Sequence, residues 1–319
     1  MKHKALIGFD LDEYPEVGIF SEYFDCDFCE YSSDFFKKNI SKYSILVPHL
    51  YLNLSSEMME NATNLKFLFT PSTGTNHLDI EAIENAGIKI HCLSDDANFI
   101  QNISSTAELA WLLVLAANRK IISLTNRVLN DKSWKNNDIR GNQLKGKTIG
   151  IIGFGRLGKL MHKYAKAFDM KILINDIDPS QTVNHEDEEA SIEDIYNKSD
   201  IISLHPKLNS TSHEMINKQT LKLMKDGVII VNTARGDVIN SNDLLVSLQS
   251  GKVSFAALDV LKNEFHSGQL PDDPLLDFAK KNENSDKILI TPHAGGATLD
   301  AHRIVFKYVA EELNNLIIK

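Results

Sequence analysis

Cysteine, tryptophan and proline are scarce: the 319 residues include 3, 2 and 8 of them, too few for a disulfide scaffold or a proline-rich linker. Cys26 and Cys29 form a Cys-x-x-Cys pair, but no second pair stands at metal-ligand spacing and Cys92 is the only other cysteine. The alternation Tyr23-Phe24-Asp25-Cys26-Asp27-Phe28-Cys29-Glu30 reads as an edge strand, in which positions three apart point to opposite faces, so neither redox chemistry nor a bound metal is expected. Long apolar runs are missing as well. The longest, Leu109–Ala117, is nine residues, against about 20 for a bilayer-spanning helix. Met1-Lys2-His3-Lys4 leads into a short apolar run that meets Asp10 rather than into a secretory core. A cytoplasmic location and no membrane partner follow as expectations. Positive charge is also in deficit, 34 Lys and Arg against 43 Asp and Glu, a formal net charge of -9. That disfavours nucleic acid and leaves a small molecule as the expected partner.

What the chain does have is 43% hydrophobic residues and a length that suits about two domains. Short apolar runs recur between helix-length amphipathic segments: Ala5–Ile7, Ser44–Val47, Phe67–Phe69, Ile149–Ile152, Ile172–Ile174, Ile201–Leu204, Val228–Val231, Ala256–Val260 and Ile288–Ile290. Strand alternating with helix predicts an α/β fold of two doubly wound parallel-sheet domains. Near residue 100 the style changes. Ser105 with Glu108 reads as a capping box opening the most apolar helix of the chain, which ends at Asn118-Arg119-Lys120, and a polar stretch from Asn130 to Lys147 follows. The expected division is a smaller N-terminal α/β domain before about residue 99 and a larger one after it.

The run Thr148–Ile152 feeds directly into Gly153-Phe154-Gly155-Arg156-Leu157-Gly158, a G-x-G-x-x-G. Leu157, Leu160, Met161, Tyr164, Ala165 and Phe168 then fall at helical spacing, and a second strand follows over Lys171–Asn175. Strand, glycine turn and helix in that order make a dinucleotide cradle of Rossmann type. Gly153 allows the tight turn, Gly155 lets backbone approach a pyrophosphate, and Gly158 lets helix and sheet pack closely. Arg156 and Leu157 begin the helix whose free N–H groups and positive end receive phosphate. Asp176, 18 positions after Gly158, ends the next strand, where a carboxylate accepts from both ribose hydroxyls and repels a 2′-phosphate. The reading is NAD rather than NADP.

In such a sheet the ligand lies beyond the carboxyl ends of the strands. Those ends carry His205-Pro206, Asn232-Thr233-Ala234-Arg235-Gly236, Asp259-Val260 with Glu264, and Thr291-Pro292-His293. An imidazolium can protonate a carbonyl that accepts hydride, a carboxylate beside it supports that charge, and an arginine fork can hold a substrate carboxylate. His205, followed by proline, suits a cofactor contact better than a base.

This succession of motifs resembles the D-isomer-specific 2-hydroxyacid dehydrogenase family over nearly the whole chain. Upstream, Ser72-Thr73-Gly74-Thr75-Asn76-His77-Leu78-Asp79 is similar to its substrate loop, and Ser105-Thr106-Ala107-Glu108 to its helix start. The resemblance implies Arg235, Glu264 and His293 as the catalytic trio. It implies that Thr73 and Gly74 receive the substrate carboxylate by their backbone, and that Thr106, His205, Pro206, Thr233, Ala234 and Asp259 are cofactor contacts, Asp259 meeting the nicotinamide carboxamide. It further implies a smaller flavodoxin-like substrate-binding domain of 1–98 with 297–319, an NAD-binding domain of 99–296, a cleft between them, a C-terminal helix returning to the N-terminal domain, and a homodimer through the cofactor domains. The chain departs from the family at Phe265, where proline usually follows the glutamate, and at Pro206-Lys207, where Val-Pro is usual.

The expected activity is NAD-dependent interconversion of a D-2-hydroxy acid and its 2-keto acid. A dinucleotide-sensing regulatory protein on the same fold is the alternative, and it would have no need of the trio; an NAD enzyme acting on an amino acid or thioether is a third reading. The loop Pro48-His49-Leu50-Tyr51-Leu52-Asn53-Leu54, expected to face the far end of the substrate, has no Lys or Arg, and none occurs between Lys42 and Lys66. A substrate without phosphate is therefore expected.

Overall fold

A computed structural model describes residues 2–318 apart from 30–32, 53, 76, 136–137, 186–187, 265–268 and 282–285, and gives the backbone alone at 33–34. Asn53, Asn76 and Phe265, named above, lie outside the described residues. The chain forms two compact units, one chiefly Met1–Ile103 with Ala297–Lys319, the other Ser104–Glu264 with Pro271–Gly296.

The first unit holds β1 (Lys4–Ile7), β2 (Asp25–Phe28), β3 (Ile45–Val47), β4 (Phe67–Thr70) and β5 (Lys89–Cys92) in a parallel sheet of order β2-β1-β3-β4-β5, the flavodoxin-like order. Alternation sorts the side chains onto two faces. Ala5, Ile7, Ile45, Val47 and Phe69 meet the helix Leu299–Ile318 through Val305, Phe306, Val309, Ala310 and Leu313, while Leu6, Leu46 and Leu68 pack on Phe36, Ile40 and Ile83. The C-terminal helix thus belongs to the core of the N-terminal sheet. β2 is the edge strand that the cysteine alternation predicts. Cys26 packs on one face and Cys29 on the other, and burial pushes their thiols up to about 11 and about 12, so neither is a ready thiolate. Leu52, which the loop sequence offers with Leu50, Tyr51 and Asn53 as surface for the far end of the substrate, is corrected by its burial, and Leu54 lies beside it. Both are core residues packed with Met58 and Leu65, so neither offers surface to a ligand.

The second unit holds β6 (Thr148–Ile152), β7 (Lys171–Asn175), β8 (Ile201–Leu204), β9 (Val228–Asn232), β10 (Val253–Leu258) and β11 (Ile288–Ile290), all parallel, in the order β11-β10-β9-β8-β6-β7. An isolated parallel bridge from Ile174 to Glu189 stands outside β7, where a doubly wound sheet places one more strand. The order reverses between β6 and β8, so the turn after β6 opens at the switch point, the place where such sheets bind ligands. Ile149, Ile151, Val231 and Ala257 pack on one face against Ala110, Leu113, Val114 and Ala117, and Ile152, Ile202, Ile230 and Leu258 pack on the other. Burial on both faces is why these strands read as continuous apolar runs.

The Ala97–Arg119 stretch is long and apolar enough by composition to cross a membrane. It consists of two helices, Ala97–Ile100 and Ser105–Arg119, and the second buries its small and aliphatic residues against the sheet as a core helix. The capping box expected from Ser105 is not formed. Ser104 is the N-cap and its Oγ donates to Glu108 Oε1 at 2.5 Å, while Ser105 turns inward and its Oγ is buried without a partner.

Candidate active site

The glycine turn has the stereochemistry its sequence requires. Gly153 lies at φ +91°, and a Cβ there would stand 2.5 Å from the His205 carbonyl carbon and 2.7 Å from Pro206 N. The backbone of His205-Pro206 therefore presses directly on the turn. A Cβ at Gly158 would meet Gly153 O at 2.2 Å, so the helix Arg156–Ala167 can start this close to the strand only with glycine there. At Gly155, the helix N-cap, a Cβ would meet nothing within 4 Å, and no side chain caps the helix. That open space over an uncapped helix start fits a pyrophosphate. Arg156 and Leu157, half-buried, begin the helix, and burial pulls the Arg156 guanidinium below its usual value.

Further polar atoms around the cradle fit a dinucleotide. His205 Nε2 lies 2.8 Å from Ser203 Oγ, whereas its Nδ1 is buried without a partner, as is Thr233 Oγ1. Burial lowers the His205 pKa to about 4 and keeps the ring neutral, as suits a hydrogen-bonding contact rather than a base. Asp176 Oδ2 accepts from Phe154 N at 2.6 Å and Oδ1 from Asp178 N at 2.9 Å. A carboxylate offers about four acceptor positions, so capacity for ribose hydroxyls remains.

At the carboxyl ends of β9, β10 and β11, three loops brace one another. After β9, the fully buried Asn232 accepts from Ala234 N at 3.0 Å, donates to Arg235 O at 2.9 Å, and through its own carbonyl receives Asp259 N at 2.9 Å. The next residue, Gly236, is so close to the loop after β10 that a Cβ would lie 2.1 Å from Leu261 C. In that loop Glu264 Oε2 accepts from Leu261 N at 2.9 Å, and Oε1 lies 2.7 Å from His293 Nδ1. Burial pulls the Arg235 guanidinium down and the Glu264 charge raises it; it stays cationic, with Nη1 donating to Ala234 O at 2.6 Å. Arg235, Glu264 and His293 thus come together from three strand ends.

Asp259 is bonded into the loop that carries His293. It is 1% exposed; Oδ1 accepts from Thr291 Oγ1 at 2.6 Å and Ala294 N at 2.8 Å, and Oδ2 accepts from Gly295 N at 2.8 Å. Its carbonyl also receives His293 N at 2.8 Å. These bonds hold His293 at φ +51°, a left-handed conformation that disfavours residues with a Cβ. Burial raises the Asp259 pKa and the hydrogen bonds oppose it. Thr106, at the start of the Ser105–Arg119 helix, closes the other side of this loop: a Cβ on Gly295 would stand 3.0 Å from both Asp259 Oδ2 and Thr106 Cγ2. Asp259→Ala would leave buried N–H groups unpaired and is expected to lower unfolding free energy by about 2 kcal/mol or more. Thermal and urea unfolding read the loss, and an unchanged midpoint would show that the loop is held by other means.

Sequence reading missed the bracing role of Asn232. Its signal was the position of an amide at the very end of an apolar strand, where a side chain can substitute for the next ladder bond.

Thr73 and Gly74 belong to the first unit, in the loop after β4. Ser72 Oγ donates to Gly74 O at 2.6 Å and lies 2.9 Å from Thr70 Oγ1, which pins the loop. Among the described residues no group accepts from Thr73 N or Gly74 N.

The chain matches the family model for the NAD-binding domain of D-isomer specific 2-hydroxyacid dehydrogenases over residues 111–295. It is 34% identical over 276 residues to a hydroxypyruvate reductase of Thermotoga maritima, covering 86% of this chain and 85% of that protein. It is 30% identical to a glyoxylate reductase of Pyrococcus horikoshii, covering 98% and 92%. A D-lactate dehydrogenase of Aquifex aeolicus, crystallised with NAD and lactic acid, superposes with a TM-score of 0.84 at 25% identity, over 98% of this chain and 95% of the other. This chain belongs to the D-isomer-specific 2-hydroxyacid dehydrogenase family.

Proposed function

We propose that this enzyme interconverts a small D-2-hydroxy acid and its 2-keto acid, with His293 as acid and base, Glu264 as its partner and Arg235 as the substrate anchor. The observation that carries the reading is the 2.7 Å contact between His293 Nδ1 and Glu264 Oε1, with Arg235 close enough for its charge to be felt by Glu264. NAD, when bound, supplies hydride transfer. The chain's own groups do the rest. With Nδ1 held by Glu264, the imidazole exchanges its proton with the substrate oxygen at Nε2, giving it in reduction and taking it back in oxidation. The carboxylate of Glu264 supports the charged ring during that exchange. Arg235 holds the substrate carboxylate through its planar fork. Asp259 is a positioning residue, acting through the loop that carries His293.

NAD is expected to be preferred over NADP by at least about tenfold in kcat/KM, since a phosphate beside Asp176 would add like charge in a partly dehydrated turn. No Lys or Arg lies within Asn175–Ser180, and Lys159, on the neighbouring helix, donates to Gln181 at 2.9 Å and is drawn toward Asp178. Equal efficiency with both cofactors would move the choice to another residue.

The far end of the substrate is proposed to be uncharged. In the 48–54 loop, Leu50 and Tyr51 are half-buried, burial lowers the pKa of His49 to about 4, and the loop's own sequence has no Lys or Arg to offer a phosphate. Hydroxypyruvate, glyoxylate, pyruvate and 3-phosphohydroxypyruvate, assayed with NADH by loss of absorbance, test the function. Turnover of none of them would overturn the assignment, and preference for the phosphorylated acid would overturn the substrate class.

A homodimer through the cofactor unit is proposed as well. Leu112, Val128, Leu129 and Trp134 on that unit are 58%, 42%, 69% and 90% exposed, a costly apolar surface for a monomer. Sedimentation at micromolar concentration showing only monomer would remove this element.

A further inference from the structure

Away from the trio, the described residues bring His162, His185 and Glu188 together, with one potential ligand atom from each all within 4.8 Å of one another. His162 lies on the glycine-turn helix and is 6% exposed. Its Nε2 is 2.6 Å from Glu188 Oε2, and His185 Nδ1 is 3.4 Å from the same oxygen. The two imidazole centroids are 4.7 Å apart. Backbone geometry holds the three from two sides. Glu188 N donates to His185 O at 2.9 Å, closing the turn that puts both side chains together, and Ile174 N donates to Glu188 O at 2.8 Å, tying that turn to β7. The expectation of no metal came from spacing alone, and spacing had nothing to offer here. His162 and His185 are joined only by the fold.

We propose that His162, His185 and Glu188 form a binding site for a divalent cation of the zinc class, which clamps the glycine-turn helix to the turn after β7. Two imidazoles and one carboxylate are a donor set that suits zinc, with a fourth position for water. A zinc ion among the three donors would lie about 2.0–2.1 Å from each and set the ligand atoms roughly 3.3 Å apart, spreading the 2.6 Å His162–Glu188 contact slightly and staying within the present 4.8 Å span. The side chains of His185 and Glu188 are 30% and 27% exposed, so the fourth position opens to water. Lys166, on the same helix as His162, also reaches Glu188 with its charge and would act against an incoming cation. The site backs directly on the cofactor cradle. The buried Phe154 ring, inside the glycine turn, stands edge-on to both imidazoles at 5.6 Å and 5.0 Å. An ion there would fix the wall behind the turn.

The test is titration of chelator-stripped full-length protein with Zn2+ alone, by calorimetry at neutral pH, with Co2+ as a visible-absorbance probe of imidazole coordination. The expected result is one saturable site per chain, a rise in the thermal midpoint on binding, and weaker binding in acid as protons compete for the imidazoles. His185→Ala and Glu188→Gln should each weaken binding by at least about tenfold and abolish the thermal rise. Both positions are partly exposed, and the metal-free midpoint checks that each variant folds. Absence of saturable binding would leave only a proton-sharing histidine–glutamate pair and overturn the proposal. Binding unchanged in both variants would place the ion elsewhere, for instance at His293–Glu264, and overturn it equally.

Discussion

His293→Ala is expected to lower turnover by about 100-fold or more in both directions while leaving NADH affinity within about twofold. The loss is of proton transfer, not of architecture. Asp259 holds this loop by its carbonyl on the His293 N–H and by its carboxylate on Thr291, Ala294 and Gly295, none of which involves the imidazole. Alanine pays the same left-handed backbone cost as histidine, since both carry a Cβ. Reduction needs the imidazole to give the carbonyl oxygen its proton and oxidation needs it to take that proton back, so both directions lose the same transfer. Glu264→Gln should fall between the two proteins, because an amide can still accept from Nδ1 but brings no charge to balance the imidazolium. Fluorescence titration with NADH separates binding from chemistry, and turnover in His293→Ala equal to that of the wild type would remove His293 from the mechanism.

Much of this site was legible in the sequence because its groups sit where doubly wound sheets put chemistry. Gly153, Gly155 and Gly158 follow β6 directly, and His205, Arg235, Asp259 and His293 each follow the end of an apolar run. Strand ends are easy to see when the strands are buried on both faces. What was hidden has physical reasons. β5 reads Lys-Ile-His-Cys and lies at the sheet edge, half exposed, so it carries no apolar run to detect. Leu52 looks like a ligand-facing residue in a loop, but two residues on Leu54 N bonds His77 O and Asp79 N bonds Leu54 O. That added bridge draws the segment into the core. Ser105 and Ser104 are equally good caps by composition, and burial of the first against the sheet decides between them. The bracing that Asp259 gives to Thr291, Ala294 and Gly295 was hidden, because the bonds of a strand-end carboxylate to a loop more than 30 residues on are assembled only by the fold. The His162–His185–Glu188 cluster is the extreme case, built from a helix and a turn with no shared motif.

Arg235→Ala is expected to lower kcat/KM for a 2-keto acid by about 100-fold or more, close to 3 kcal/mol of lost anchoring, with NADH affinity unchanged. The argument rests on what the side chain alone contributes. The backbone of this turn is set by Asn232, which donates to Arg235 O, and by the contact of Gly236 with Leu261 and Lys262, so truncation at Arg235 leaves the turn in place. The guanidinium is pulled down by burial yet stays cationic, so the charge is carried into a partly dehydrated site where its interaction with a carboxylate is strong. Both kcat and KM should suffer, because the anchor positions the carbonyl as well as binding the acid. Arg235→Lys separates charge from shape: it restores a cation but not the paired donors, and should recover part of the KM while leaving kcat low. Exogenous guanidinium should rescue Arg235→Ala in a saturable way and do nothing for Arg235→Lys. A variant whose kcat/KM stays within about fivefold of the wild type would show that the substrate carboxylate is held by another group.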